Sequence, residues 1–137
     1  MNTRTFSRMG TVQTFLLPIQ FLLGMWINLF VNIPNPLVSN FFVSGRSVVV
    51  ILHIINGLAI VSLAVIIIVL TTKLKATVAR LLSLWAAGFA LLAIASGVTF
   101  LFFGQIDAFS YSMAVGFVTA AVIYSFVGRA AMQIKST

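Results

Sequence analysis

The chain contains one histidine and one acidic residue, so acid–base chemistry has to start from His53 or Asp107. His53 falls inside an apolar stretch, about 10 Å from its outer end at a rise of ~1.5 Å per residue. Arg46, His53, Asn56 and Gly57 follow at steps of seven, three and one, which places them on one helix face. An ionisable residue within a membrane span is a functional candidate by default, because lipid offers it no partner. A neutral imidazole is nevertheless far cheaper to bury than a charge. Three roles fit His53. It can make a structural hydrogen bond to Asn28 or to a serine of the last span. It can ligate haem b or another metal centre. It can contact a quinone or move a proton. The residues expected around such a cofactor are His53, Asn56, Asn28 and Arg46.

Missing residues narrow the chemistry further. There is no cysteine, which excludes disulfides, thiol catalysis, thiolate-bound zinc and iron–sulfur clusters. No Asp, Glu, Lys or Arg lies deep in an apolar stretch, so proton-coupled antiport through a membrane carboxylate is not expected. That departs from the small multidrug exporters, which share the size but use a first-helix glutamate. The glycine- and threonine-rich motifs of the small fluoride channels are absent too. No Ser/His/Asp order, phosphate loop or metal-ligand spacing appears. An enzyme is therefore not the expected reading.

The elements that must position these residues follow from composition. Hydrophobic residues make up 61% of the 137 and charged residues 7%, against about 45–50% and 25% in soluble domains. A chain this short cannot hide so much apolar surface in its own core. Four stretches reach the roughly 20 residues needed to cross a bilayer, near 11–33, 47–72, 78–103 and 108–132. In lipid every backbone amide must be satisfied within its own segment, so all four are read as helices. The β-branched run through 48–70 does not change that reading. Pro34-Asn35-Pro36 ends the first helix. Lys73-Leu74-Lys75 ends the second, and Gly104-Gln105-Ile106-Asp107 separates the last two, with Asp107 expected as an N-cap. The 34–45 loop, with Phe41-Phe42, is expected in the membrane interface. Residues 1–137 thus form one all-α membrane domain, a transmembrane four-helix bundle with antiparallel neighbours.

Faces can be assigned within the spans. Gln20, Gly24, Asn28 and Asn32 recur every four residues and are expected to face protein, since amides in lipid need partners. Pro18 is expected to kink this helix. Ser83, Ala86, Ala87, Ala90, Ala93, Ser96 and Gly97 line the third helix, and Ser112, Gly116 and Ala120 the fourth. Small residues let helix backbones approach, so Gly24, Gly57, Gly97 and Gly116 are the expected packing positions. Trp85, Tyr111 and Tyr124 are read as an aromatic belt. Trp26 is read as packed on a neighbour, and Ile67 as facing lipid.

Phe21-Leu22-Leu23-Gly24-Met25-Trp26-Ile27-Asn28-Leu29, then His53-Ile54-Ile55-Asn56-Gly57, then Ser96-Gly97 before Phe100 resemble a group of uncharacterised small prokaryotic four-helix membrane proteins. The resemblance covers most of the chain and implies the fold, with no activity attached. A lone helical histidine four residues before a glycine is also similar to haem-binding membrane helices. Those normally use two or more histidines, so here a methionine, another chain or an open position would have to complete the site.

The expected role is a non-enzymatic one: helix packing in a small accessory subunit of a larger membrane complex, or in a homo-oligomer. The alternatives are a haem- or quinone-binding electron-transfer component and a small channel or carrier lined by Gln20, Asn28 and Asn56. Lipid and other membrane subunits are the expected partners. Nucleic acid is not, because the net charge of +7 is scattered beside the spans and forms no dense run. The first span is expected to be retained, being long for a signal peptide and lacking a small-x-small cleavage site.

Seven of the eight basic residues flank the spans on one side: Arg4, Arg8, Lys73, Lys75, Arg80, Arg129 and Lys135. Only Arg46 lies on the other. The positive-inside rule then puts both termini in the cytoplasm of a cell-membrane protein. Cysteines introduced at Thr3 and Ser136 are expected to resist an impermeant thiol reagent in intact cells, while one at Ser39 labels. Labelling of both termini from outside contradicts this orientation.

Overall fold

A computed structural model describes residues 3–33, 47–103 and 106–133. They form four helices, α1 (Thr3–Phe30), α2 (Val48–Lys73), α3 (Thr77–Phe103) and α4 (Asp107–Gln133), and no strand. Each is long and apolar enough to cross a membrane. No more than 33% of the most apolar window of any helix is buried inside the bundle. The outward faces therefore need lipid, since water would meet a continuous apolar surface. The protein is an all-α, multi-pass four-helix membrane bundle. Arg46, the 34–45 loop and Lys135 lie outside the described residues.

α1 packs against α2 and α4, and α3 against the same two, so the helices form a ring in chain order. The α2–α3 link is the three residues Leu74–Ala76, which makes that pair antiparallel. Lys75 there has a φ of 54°, a left-handed conformation that closes the C-terminus of α2. The backbone amides of Leu74 and Ala76 return to the carbonyls of Leu70 and Thr71.

The buried positions obey one rule. In α1 they are Phe6, Gly10, Gln13, Leu17, Gln20, Gly24 and Ile27. In α3 they include Ala79, Ser83, Ala86, Ala90 and Ala93, and in α4 Ser110, Met113, Phe117, Ala120, Tyr124 and Val127. Steps of three and four alternate, giving the 3.5-residue repeat of a left-handed bundle seam. Small residues of α3 face larger ones, notably Leu17, Ile60, Ile67, Phe117 and Tyr124, in one core. A second cluster of Ile27, Ile33, Val50 and Phe100 closes the end opposite the Leu74–Ala76 link.

That repeat corrects several expectations. A step of four turns a helix position by about 40° beyond a full turn, at 3.6 residues per turn. Gln20 and Gly24 are buried, but Asn28 has rotated off the seam and is exposed, and Asn32 is exposed beyond the end of α1, which stops at Phe30 short of the expected 33. Ile67 is fully buried, not lipid-facing, because it falls on the seam of α2. Tyr124 is also fully buried and leaves the aromatic belt. Trp26 is 55% exposed and lies against Phe30 of its own helix, with ring centroids 4.9 Å apart. α1 starts eight residues earlier than its apolar stretch, with Phe6 inward and Arg8 outward. It runs uninterrupted through the exposed Pro18. Asp107 stands in the first turn of α4 rather than before it, where its charge still favours the helix dipole.

α3 and α4 approach closely at Gly116. A Cβ there would lie 2.8 Å from the Phe89 carbonyl oxygen and 2.9 Å from the Ala93 Cβ. Neither obstacle is a flexible side-chain end, so the backbones would have to part. Gly116→Ala is expected to cost about 1–3 kcal/mol, the usual range for overpacking. Gly88→Ala, with nothing within 4 Å, and Ile66→Leu on the lipid face are expected to be near neutral. Unfolding in mixed micelles measures the difference, and equal behaviour of the three contradicts the packing.

Candidate functional site

In the half of the bundle away from the Leu74–Ala76 link the seam becomes both small and polar. Gly24, Gly57 and Gly97 contribute no side chain, and Gln20 and His53 replace apolar residues. The result is a cavity of about 310 Å³. Its walls come from all four helices, with Ile27 and Phe100 toward the end opposite the Leu74–Ala76 link and Met113 and Phe117 from α4. The cavity reaches the outside between α2 and α3. Leu58 and Val98, which line it, are 64% and 52% exposed on the bundle surface. Among the described residues the lining contains no Asp, Glu, Lys or Arg.

The polar end is built from the backbone upward. Asn56 Nδ2 donates to the Leu16 carbonyl oxygen at 3.1 Å, an atom that can only accept. The same amide nitrogen donates to Gln20 Oε1 at 2.8 Å. Gln20 is thereby oriented, and its Nε2 lies 3.1 Å from His53 Nε2. Gln20 Nε2 is a donor, so His53 Nε2 accepts. In the neutral ring the proton is then assigned to Nδ1. That nitrogen is buried and has no hydrogen-bond partner. A buried donor left unpaired costs about 1–3 kcal/mol.

Glycines make the arrangement possible. A Cβ on Gly24 would lie 3.2 Å from His53 Cε1, and one on Gly57 3.2 Å from Gln20 Nε2. A Cβ on Gly97 would lie 3.1 Å from Met113 Sδ, a flexible atom able to yield. The Phe117 ring stands edge-on to the imidazole with centroids 6.4 Å apart.

Of the residues singled out in the sequence, His53, Asn56, Gly24 and Gly57 meet at this end of the cavity, and Gly97 lines its far wall. Asn28 lines the cavity but is exposed. Arg46 lies outside the described residues. Gly116 belongs to the α3–α4 contact. The helix-one partner of the imidazole is Gln20, not Asn28, because Gln20 holds the seam position. Met113 and Phe117 were not singled out, and only the 3.5-residue repeat of α4 would have found them. A second polar site lies deeper. Gln13 donates to the Ile60 carbonyl at 3.1 Å, leaving its Oε1 beside the buried Tyr124 hydroxyl.

A haem fits this donor set poorly. His53 Nε2, the usual iron ligand atom, already accepts from Gln20, and its ring lies against Gly24. Among the described residues no three His, Cys, Asp or Glu side chains group as metal ligands. Compared with protein-family models, curated proteins and solved structures, the chain matches none.

The chain Asn56–Gln20–His53 is expected to behave as one unit. In a double-mutant cycle, Asn56→Ala and Gln20→Ala should couple by roughly 0.6–1.7 kcal/mol, the range of polar contacts between membrane helices. Additive losses contradict the shared network.

Proposed function

We propose that this protein is a non-enzymatic membrane binding module, whose cavity takes a lipid-soluble ligand directly from the bilayer. The observation that carries this reading is the opening of a 310 Å³ polar-ended cavity between α2 and α3, at membrane-facing Leu58 and Val98. Binding cavities of this kind are mostly apolar, with a few polar groups that fix orientation. Gln20 and His53 form that polar end in this reading, with Asn56 holding Gln20 in place, and Asn28 stands at its rim. A channel is disfavoured by the inner half, where Leu17, Ile60, Ala90 and Ala120 close the core. Haem-based electron transfer is disfavoured by the engaged imidazole.

A second reading is the small accessory subunit or homo-oligomer. Gly88 favours it, since this lipid-facing glycine of α3 has open space around it and would admit another helix. Against it, the other small residues of α3 are mostly consumed in packing within the chain.

Photolabelling tests the first reading. In lipid nanodiscs a diazirine-bearing long-chain alcohol is expected to label Gly57 and Gly97 saturably, and Ile66 in proportion to its concentration. Leu58→Trp with Val98→Trp should narrow the gap and remove the saturable part. If cavity residues label no more than closed-core Ala64, the reading fails.

A further inference from the structure

We infer that the end of the bundle at the Leu74–Ala76 link gathers anionic phospholipid head groups around it, an inference independent of the cavity. The chain has eight Lys and Arg against one acidic residue, Asp107. Asp107 opens α4, about 33 Å along that helix from Arg129 near its other end. No acidic side chain of this chain can therefore pair with a cation at the link end.

Scattered in sequence, the cations meet in space. Gln13 bonds the Ile60 carbonyl and Gln20 meets His53, so α1 starts at the end where α2 stops. Ser96 meets Ser112 while Gly116 faces Phe89 and Ala93, so α3 starts where α4 stops. Arg8 on α1, Lys73 on α2, Lys75 in the link, Arg80 on α3 and Arg129 on α4 thus share one end, and all are exposed. Bilayer dimensions put them at head-group depth. Helices of 26 and 28 residues are about 39 and 42 Å long, against a hydrocarbon core of about 30 Å. About 5 Å at each helix end then stands among the head groups. Lys73 is at its helix end. Arg80, Arg129 and Arg8 are within about 8 Å of theirs, a distance their long side chains span. A zwitterionic head group brings its own cation with its phosphate, whereas an anionic one supplies net counter-charge. Cations spread over all four helices suit several lipids around the bundle better than one bound polyanion.

The two tryptophans report the two ends separately. Trp85 follows Arg80 on α3 and is 61% exposed, while Trp26 lies near the far end of α1 and is 55% exposed. Trp26→Phe leaves Trp85 as the single reporter, and Trp85→Phe leaves Trp26. Each variant is placed in phosphatidylcholine bilayers containing brominated phosphatidylglycerol or brominated phosphatidylcholine, and quenching gives the relative binding constant. At Trp85 phosphatidylglycerol is expected to bind about fivefold better, a ratio corresponding to about 1 kcal/mol, the size expected of one basic side chain at an anionic surface. At Trp26 the ratio should lie within about twofold of one. Sodium chloride at 1 M, where the Debye length is about 3 Å, should lower the Trp85 ratio toward one. Replacing Lys73, Lys75 and Arg80 together by Gln should do the same, with the fold checked by unchanged quenching of Trp26 by brominated phosphatidylcholine. Equal binding of the two lipids at Trp85, the same preference at both tryptophans, or a preference that survives the triple replacement each overturns the inference. Heparin in the surrounding buffer should leave the Trp85 ratio unchanged. If it abolishes the ratio, the end belongs to a soluble polyanion and the lipid assignment is wrong.

Discussion

The bond from Asn56 to the Leu16 carbonyl sets the logic of this bundle. A backbone carbonyl can only accept, so it fixes which way the Asn56 amide points. That amide then fixes Gln20, and Gln20 fixes the imidazole. A single acceptor on α1 thus determines the hydrogen-bonding character of a residue on α2. In water such a chain would have competitors at every step. In lipid it has none, and a polar group that turned away would find no partner.

The four helices divide the work of assembly. α1 and α2 are joined by amides, at Gln13, Gln20 and Asn56. α3 and α4 are joined by close backbone approach at Gly116, with one Ser96–Ser112 hydrogen bond added. The α2–α3 seam has neither device at the level of the cavity. There α2 presents Gly57 and Leu58, and α3 presents Gly97 and Val98. An opening toward lipid arises where neither amide bonding nor small-residue packing draws two helices together.

Much of this was legible in the sequence. Apolar length and composition give the four helices, and the links between them fall at Lys73–Lys75 and before Asp107. Glycine and histidine spacing already marks His53, Asn56 and Gly57 as one face. The 3.5-residue seam was harder to see, because apolar residues cover every side of a membrane helix and hide its inward stripe. Gln20, Gly24, Asn28 and Asn32 at steps of four looked like one face. Tyr124 and Ile67 could equally be lipid-facing by type alone. Only their positions on the repeat assign them inward. The cavity could not be read from the chain, since it depends on glycines from three helices arriving at one depth.

His53 is the only histidine, so nitrogen-15 labelling of histidine reports on this site alone. The nitrogen chemical shifts of the labelled protein in nanodiscs show which ring nitrogen holds the proton. The orienting chain predicts a neutral ring with the proton on Nδ1 and an unprotonated, hydrogen-bonded Nε2. A ring protonated on Nε2 would contradict it, because Gln20 could no longer donate there while accepting from Asn56.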